Sequence, residues 1–299
     1  MRAMKYALFL GCTVPARARN YELSTRKVAQ ALGIEFADIM GFSCCGFPVK
    51  SVDIETTMLL AARNLSLAEE KNLNICTICS ACTSILTEAN KELKENGELK
   101  EKVNEKLAKI KRKYRGSVEV KHFARILYED IGIEQIKSSV KKNLKSIKFA
   151  PHYGCHYLKP SEIYGNFDDP ENPKSLDELI KVTGAEVIDY EDKKLCCGGA
   201  ILGVDEDISL TMAKKKLDHV SDRGADAISL ICPFCSTMND DNQRKIESQF
   251  GVSYNLPVLY YPQVLGLALG FDPNELGLQM NRVKATEIIN KLQKGKTES

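Results

Sequence analysis

The sequence predicts an α/β fold built as two matching halves, each a mostly parallel sheet flanked by helices. Three observations carry this. Short apolar strands alternate with helical stretches, the alternation occurs twice, and ten of the eleven cysteines fall into two sets of the same order. At 299 residues the chain is long enough for two ordinary domains, each with a core that needs no disulfide staples. Lys and Arg number 42 against 40 Asp and Glu, so no broad basic field exists to collect phosphate backbones, and nucleic acid is excluded as a first partner.

In the first half, Lys5–Leu10 reads as a buried strand leading to Cys12. Its apolar run, Tyr6 to Leu10, is shorter than the roughly 7–15 residues of a secretory signal core, so the chain is expected to stay in the cytoplasm. Ile34–Ile39 is the next strand and runs toward Cys44-Cys45-Gly46, followed by a helix over Glu55–Glu70. Asn72–Ile75 is a strand entering Cys79-Ser80-Ala81-Cys82. Leu86–Tyr114 is charged, with Leu93, Leu99, Val103, Leu107 and Ile110 at helical spacing. It reads as one or two surface helices whose Lys/Glu run is a solvated face. Val118–Leu127 begins with a closing strand, and the basic, polar stretch Ile136–Leu144 is the expected domain junction.

The second half repeats this order. Ile147–Ala150 leads to Cys155, Glu186–Tyr190 to Cys196-Cys197-Gly198, and Asp226–Ile231 to Cys232-Pro233-Phe234-Cys235, with a helix over Asp207–Arg223. Between the lone Cys and the pair lie 31 residues in the first set and 40 in the second, whereas 33 and 34 residues separate each pair from its C-x-x-C. Leu256–Leu265 echoes Val118–Leu127. The uncharged stretch between Phe250 and Phe271 has the length of a membrane span, but Pro257, Pro262, Asn255, Ser253 and Gln263 point to a core strand followed by a buried helix.

Parallel α/β sheets gather ligands at the carboxyl ends of their strands, where all ten repeated cysteines fall. A C-x-x-C pair suits zinc, an iron–sulfur cluster or a redox disulfide, and spacing alone does not choose among them. Adjacent cysteines diverge from neighbouring backbone positions and reach different metal atoms more easily than one tetrahedral zinc. Five thiols per half exceed the four that a zinc ion or a cubane cluster takes. Cys76 is the leftover. Aligning Thr77–Cys82 with Leu230–Cys235 favours Cys79 and Cys82 as the active pair, leaving Cys76 as a small apolar residue at the end of a strand. Gly46 and Gly198-Gly199 let the chain turn sharply with no side chain against a bulky cluster.

A lone Cys, a Cys-Cys-Gly and a C-x-x-C, present twice, resemble the CCG domains of the B subunit of heterodisulfide reductase from methanogenic archaea. The opening Lys5–Arg19, with Gly11-Cys12-Thr13-Val14-Pro15, is especially similar. The resemblance covers nearly the whole chain and implies two CCG domains, over residues 1–144 and 145–299, each holding a non-cubane [4Fe–4S] cluster. Carried over by motif, the ligands are Cys12, Cys44, Cys45, Cys79 and Cys82, then Cys155, Cys196, Cys197, Cys232 and Cys235.

The resemblance further implies an oxidoreductase that reduces the coenzyme M–coenzyme B disulfide to two thiols, the disulfide lying between the halves with one sulfur toward each cluster. Cleavage takes two electrons, whereas a cluster usually passes one at a time, which two clusters facing one substrate resolve. The coenzymes carry a sulfonate and a phosphate, so Arg17, Arg19, Lys50 and Lys159, all near Cys motifs, are the candidate anion-binding residues, with ordinary surface charge as the alternative for each. His156, beside Cys155, is the candidate proton donor or else a hydrogen-bond partner of a sulfur; His152 is a second choice, and His122 and His219 are assigned no chemistry.

No ferredoxin-like C-x-x-C-x-x-C-x-x-x-C-P segment occurs, so electrons are expected from another polypeptide. By resemblance this is a ferredoxin-like C subunit, linked to a flavin-containing A subunit with a hydrogenase or formate dehydrogenase in an electron-bifurcating complex. Two alternatives stand beside this: a CCG-type electron-transfer subunit of glycolate, lactate, succinate or fumarate chemistry, and a structural zinc scaffold.

Overall fold

The computed structural model describes residues 4–294; the outer limits of the two expected domains, residues 1 and 299, lie outside them. Along the chain run β1 (Met4–Phe9), α1 (Thr13–Arg17), α2 (Arg19–Ala31), β2 (Ile34–Ala37), α3 (Ile54–Glu70), β3 (Asn74–Thr77), α4 (Ser80–Glu95), α5 (Gly97–Ala108), β4 (Val120–His122), α6 (Phe123–Arg125) and α7 (Ile133–Ser139). Then follow β5 (Lys148–His152), α8 (Ser175–Lys181), β6 (Glu186–Val187), α9 (Glu206–Asp222), β7 (Ala227–Leu230), α10 (Pro233–Ser236), α11 (Gln243–Phe250), β8 (Val258–Tyr260), α12 (Tyr261–Ala268) and α13 (Thr286–Lys294).

The strands form two four-stranded parallel sheets of the same order, β2-β1-β3-β4 and β6-β5-β7-β8. The register sets Leu8 beside Cys76 and Ile75 beside Val120 in the first, and Ala150 beside Ile228 and Leu230 beside Tyr260 in the second. Tyr6 to Phe9 and all of β7 are buried, the near-continuous apolar run that a sheet covered on both faces requires. The expected helices after the Cys-Cys-Gly motifs are α3 and α9, each started by an aspartate, Asp53 and Asp205, whose carboxylate accepts from the N–H three residues on.

Several boundaries differ from the sequence expectation. The third strand begins at Asn74, two residues late, because Asn72 takes a left-handed conformation (φ +51°) that closes α3. β2 and β6 end earlier than expected, at Ala37 and Val187. The stretch 136–144 begins inside α7, and its Ile136 and Leu144 are fully buried, because apolar side chains recur four residues apart among its lysines. Of the expected surface helices over Leu86–Tyr114, α5 has only Val103 and Leu107 buried, whereas α4 starts earlier, at Ser80, and is buried through Leu86 and along its Ala89–Leu93 face; the uncharged stretch after Phe250 is β8 followed by the wholly buried α12. No helix of the described residues is long and apolar enough to cross a membrane.

The halves are tied where β7 ends. The Ile231 carbonyl, immediately before Cys232, accepts from Tyr21 Oη of α2 (2.9 Å) and from His122 Nε2 at the end of β4 (3.0 Å). Tyr21 stacks on Tyr260, with ring centroids 4.0 Å apart and planes 13° from parallel. His122 Nδ1 accepts from Ala124 N–H, so both ring nitrogens are satisfied in the neutral form, and its role is structural, in keeping with its place outside the Cys loops.

Burial holds the His122 pKa down to about 4, from an ordinary 6.5. Between those values the unfolded chain binds a proton that the folded chain refuses. The stabilisation is therefore complete above pH 6.5 and is lost as pH falls toward 4, by up to about 3 kcal/mol. Urea unfolding followed across this range should show a steeper acid loss in the native chain than in His122→Gln; equal slopes would contradict the assignment.

Candidate metal centre

Cys12, Cys79, Cys82, Cys155, Cys232 and Cys235 sit within a few residues of a strand end or a helix start, whereas the Cys44-Cys45 and Cys196-Cys197 pairs lie in the loops between β2 and α3 and between β6 and α9. Cys79 and Cys232 are the residues before α4 and α10, in extended conformation, so each thiol lies beside the free backbone N–H groups of a helix start. The Cys-Cys-Gly loops are fixed from below by the following helices. Gly46 (φ +101°) and Gly198 (φ +85°) pass so close to α3 and α9 that a Cβ would meet Thr57 Cα at 3.1 Å and Ser209 O at 2.8 Å, while Thr57 and Ser209 hydroxyls donate to the two glycine carbonyls. These two glycines therefore serve helix approach, not cluster clearance as expected from the sequence. Clearance falls to Gly199, 3.4 Å from Cys197 Sγ, and to Gly11 and Gly154, where a Cβ would stand 2.9 Å from Cys82 Sγ and 3.2 Å from Cys235 Sγ.

The two sets converge. Thiol hydrogen bonds run from Cys44 to Cys45, Cys82 and Cys79, cross between the halves to Cys232, and continue through Cys235 and Cys197 to Cys196 and Cys155. Cys45 accepts from Cys44 and Cys82, which holds it down to about 4, and Cys196 accepts from Cys155 and Cys197, which holds it to about 2. Cys232, accepting from Cys235 and Cys79, also lies well below the usual thiol range, and the donating neighbours Cys44, Cys82, Cys79, Cys235 and Cys155 are pushed up. Backbone N–H groups of Gly46, Phe47, Gly198 and Gly199 point at Cys44, Cys45, Cys196 and Cys197 Sγ, at 3.4–3.5 Å. Cys12 lies at the exposed edge with its Sγ 3.7 Å from Thr13 Oγ1.

This donor set fits an iron–sulfur centre in each half: unbridged thiols, amides aimed at sulfur, and glycines that leave the sulfurs uncovered. The second half also offers a partial zinc set. His152 is fully buried with Nε2 unpartnered, and its ring shares a 4.8 Å neighbourhood with the Cys197 and Cys235 sulfurs. His156, half-buried with Nδ1 unpartnered, borders a gap of about 30 Å³ between the halves, beside Cys155, Cys196 and Cys232. Phe47 packs edge-on against it at 5.0 Å and tilts against Phe234 at 5.9 Å. Burial lowers the His152 and His156 pKa values. The 630 Å³ cavity between residues 133–143 and 178–184 contains no cysteine.

The candidate cations are dispersed. Lys50 is held by Glu88 at 2.5 Å and Lys159 by Glu171 at 2.7 Å, partners that no local pattern signals; Arg17 and Arg19 are exposed and make no ion pair among the described residues. Sequence reasoning missed Phe47 and Phe234, although each sits in or next to a Cys motif. It missed the tie of Tyr21 and His122 to Ile231, for which local sequence holds no signal.

A cysteine-rich domain family model (CCG) matches residues 6–87 and 149–239. The chain is 41% identical to the B subunit of the ferredoxin:CoB-CoM heterodisulfide reductase of Methanosarcina mazei, over 96% of this chain and 97% of that protein. It is 40% identical to a protein of Archaeoglobus profundus described as like the heterodisulfide reductase B subunit (91% and 93%). It is 35% identical to the 8-methylmenaquinol:fumarate reductase membrane anchor subunit of Wolinella succinogenes (95% and 99%). A crystal structure of a hypothetical protein from Helicobacter pylori shares the fold, with TM-score 0.78 at 18% identity, over 95% of this chain and 53% of that one.

Cys76 is 0% exposed within β3, and burial alone pushes its thiol up. In metal-free protein under argon, mass spectrometry should show exposed Cys12 alkylated first and Cys76 last, only on unfolding. Early labelling of Cys76 would contradict its structural role.

Proposed function

The chain belongs to the cysteine-rich CCG family that includes the B subunits of heterodisulfide reductases, and from that membership we propose that it cleaves the coenzyme M–coenzyme B disulfide. The carrying observation is the Cys79–Cys232 contact, which brings the two sulfur sets together at the seam between the sheets. On this reading residues 1–144 hold one [4Fe–4S] cluster through Cys12, Cys44, Cys45, Cys79 and Cys82. Residues 145–299 hold a second through Cys155, Cys196, Cys197, Cys232 and Cys235, both clusters being of the non-cubane type. When bound, the two centres supply one electron each, and with two protons these convert the disulfide into two thiols.

The protein's own residues account for the rest. Phe47 and Phe234 wall the gap with apolar surface, which strengthens electrostatic interactions inside it. His156, on the same gap, hands a proton to a departing sulfur. Arg17 and Arg19, which make no ion pair among the described residues, are better placed to attract a sulfonate or phosphate than Lys50 and Lys159, which Glu88 and Glu171 already engage. Electrons arrive from a flavin-containing A subunit through a ferredoxin-like C subunit, coupled to a hydrogenase or formate dehydrogenase. A second reading, electron transfer to a fumarate-type enzyme, is favoured by the similarity to the Wolinella succinogenes protein.

Anaerobically prepared protein should contain about eight irons and as much acid-labile sulfide per chain. A value near four would reduce the reading to one cluster, and zinc without sulfide would establish the scaffold alternative. Adding coenzyme M thiol to oxidised protein should produce a new paramagnetic signal, which the fumarate reading does not predict. His156→Ala should lower disulfide reduction about 100-fold with iron content unchanged; undiminished turnover would remove His156 from the mechanism.

A further inference from the structure

The two halves repeat each other down to their helix contacts, which makes one departure informative. Asp53 caps α3 and Asp205 caps α9; four residues on, Thr57 and Ser209 each donate to the glycine after the cysteine pair. At the next matching position inward, α3 carries Asn64 and α9 carries Lys216. Both are buried under the Cys-Cys-Gly loop. Asn64 is a neutral amide that donates to Cys44 O (3.0 Å) and accepts from Ser43 N–H (3.0 Å). Lys216 is 1% exposed; its Nζ donates to Asp192 O and lies 5.8 Å from the centre of the Tyr190 ring.

A buried lysine is costly unless negative charge compensates it. Burial pushes the Lys216 pKa down, opposed by the Asp192 carboxylate, itself 5% exposed and 2.8 Å from His219 Nδ1, and by the sulfurs of Cys235, Cys197 and Cys196. The other lysines of this loop are already paired, Lys193 with Asp177 and Asp189, and Lys194 with Glu171. In the first half Arg63, only part-buried, donates to Gly41 O and Ser43 Oγ ahead of the cysteine pair, where water screens it.

We propose that the buried Lys216 ammonium makes the two pseudo-symmetric centres electrostatically unequal, raising the reduction potential of the centre held by Cys155, Cys196, Cys197, Cys232 and Cys235 above that of its first-half counterpart. The inference rests on the reading that both sets hold iron–sulfur centres. Adding an electron increases the negative charge of a centre, so a fixed positive charge in a poorly screened interior favours the reduced form. Asn64 supplies a comparable hydrogen bond but no net charge. Lys216 is thus a tuning residue behind the sulfurs, with no contact to substrate.

The test is a potentiometric titration of the iron-loaded full chain with dithionite under argon, followed by EPR, after iron and sulfide have been counted. Protein without iron would overturn the cluster reading, separately from this inference. With iron present, two reduction waves are expected. Lys216→Gln, which keeps a donor for Asp192 O but removes the charge, should shift the higher-potential wave downward and leave the other in place; Lys216→Arg should keep it near its native position. Unchanged waves in Lys216→Gln, or an equal shift of both, would overturn the proposal. Should Lys216→Gln not assemble, the double substitution Cys196→Ala with Cys197→Ala decides the order: loss of the higher wave supports the proposal, and loss of the lower one refutes it.

Discussion

Contact between the Cys79 and Cys232 thiols is the constraint on which the rest of the site depends. Each thiol is fixed by the strand that ends before it and the helix that starts after it, and the two strands belong to different sheets. Bringing them together requires the halves to dock at the carboxyl ends of β3 and β7. The Ile231 carbonyl, held by Tyr21 and His122, sets that docking one residue away from Cys232. A polar group so deeply buried is costly without partners, so the pair of hydrogen bonds favours one arrangement of the halves over nearby ones.

Duplication explains why the site has two similar walls. Strand order, aspartate-capped helices and glycines before the lone cysteines recur in both halves, and each copy delivers its sulfurs to the same seam. Packing of α2 against α12 and the buried network of Asn20, Gln263 and Asn281 extend the docking away from the sulfurs. The walls are similar but not identical. Cys12 is exposed while Cys155 is half-buried, and Asn64 stands opposite Lys216.

Much of this was legible in the sequence because the information is local and repeated. Strand, cysteine loop and helix follow one another within short windows, so the parallel sheets and the order of the cysteine loops between strands and helices could be read from periodicity and spacing; the Cys-Cys pairs, however, sit well beyond the ends of β2 and β6. Cys76 was separable from Cys79 because the second half offers a template. What escaped was non-local or conformational. Asn72 delays β3 through a left-handed turn; Ile136 and Leu144 are buried within a stretch that reads as basic and polar. Glu88 and Glu171 reach Lys50 and Lys159 across the fold. Lys216 lies between these cases: aligning the halves would have set it against Asn64, but only burial gives its charge weight.

Nearness of two iron–sulfur centres across one seam is the central claim. EPR of the fully reduced, iron-loaded protein measures this most directly, since neighbouring paramagnets split and broaden each other's signals. We expect interacting signals that simplify to a single unsplit spectrum when one set of cysteines is removed. Two independent, unsplit signals, or iron confined to one half, would contradict the shared site.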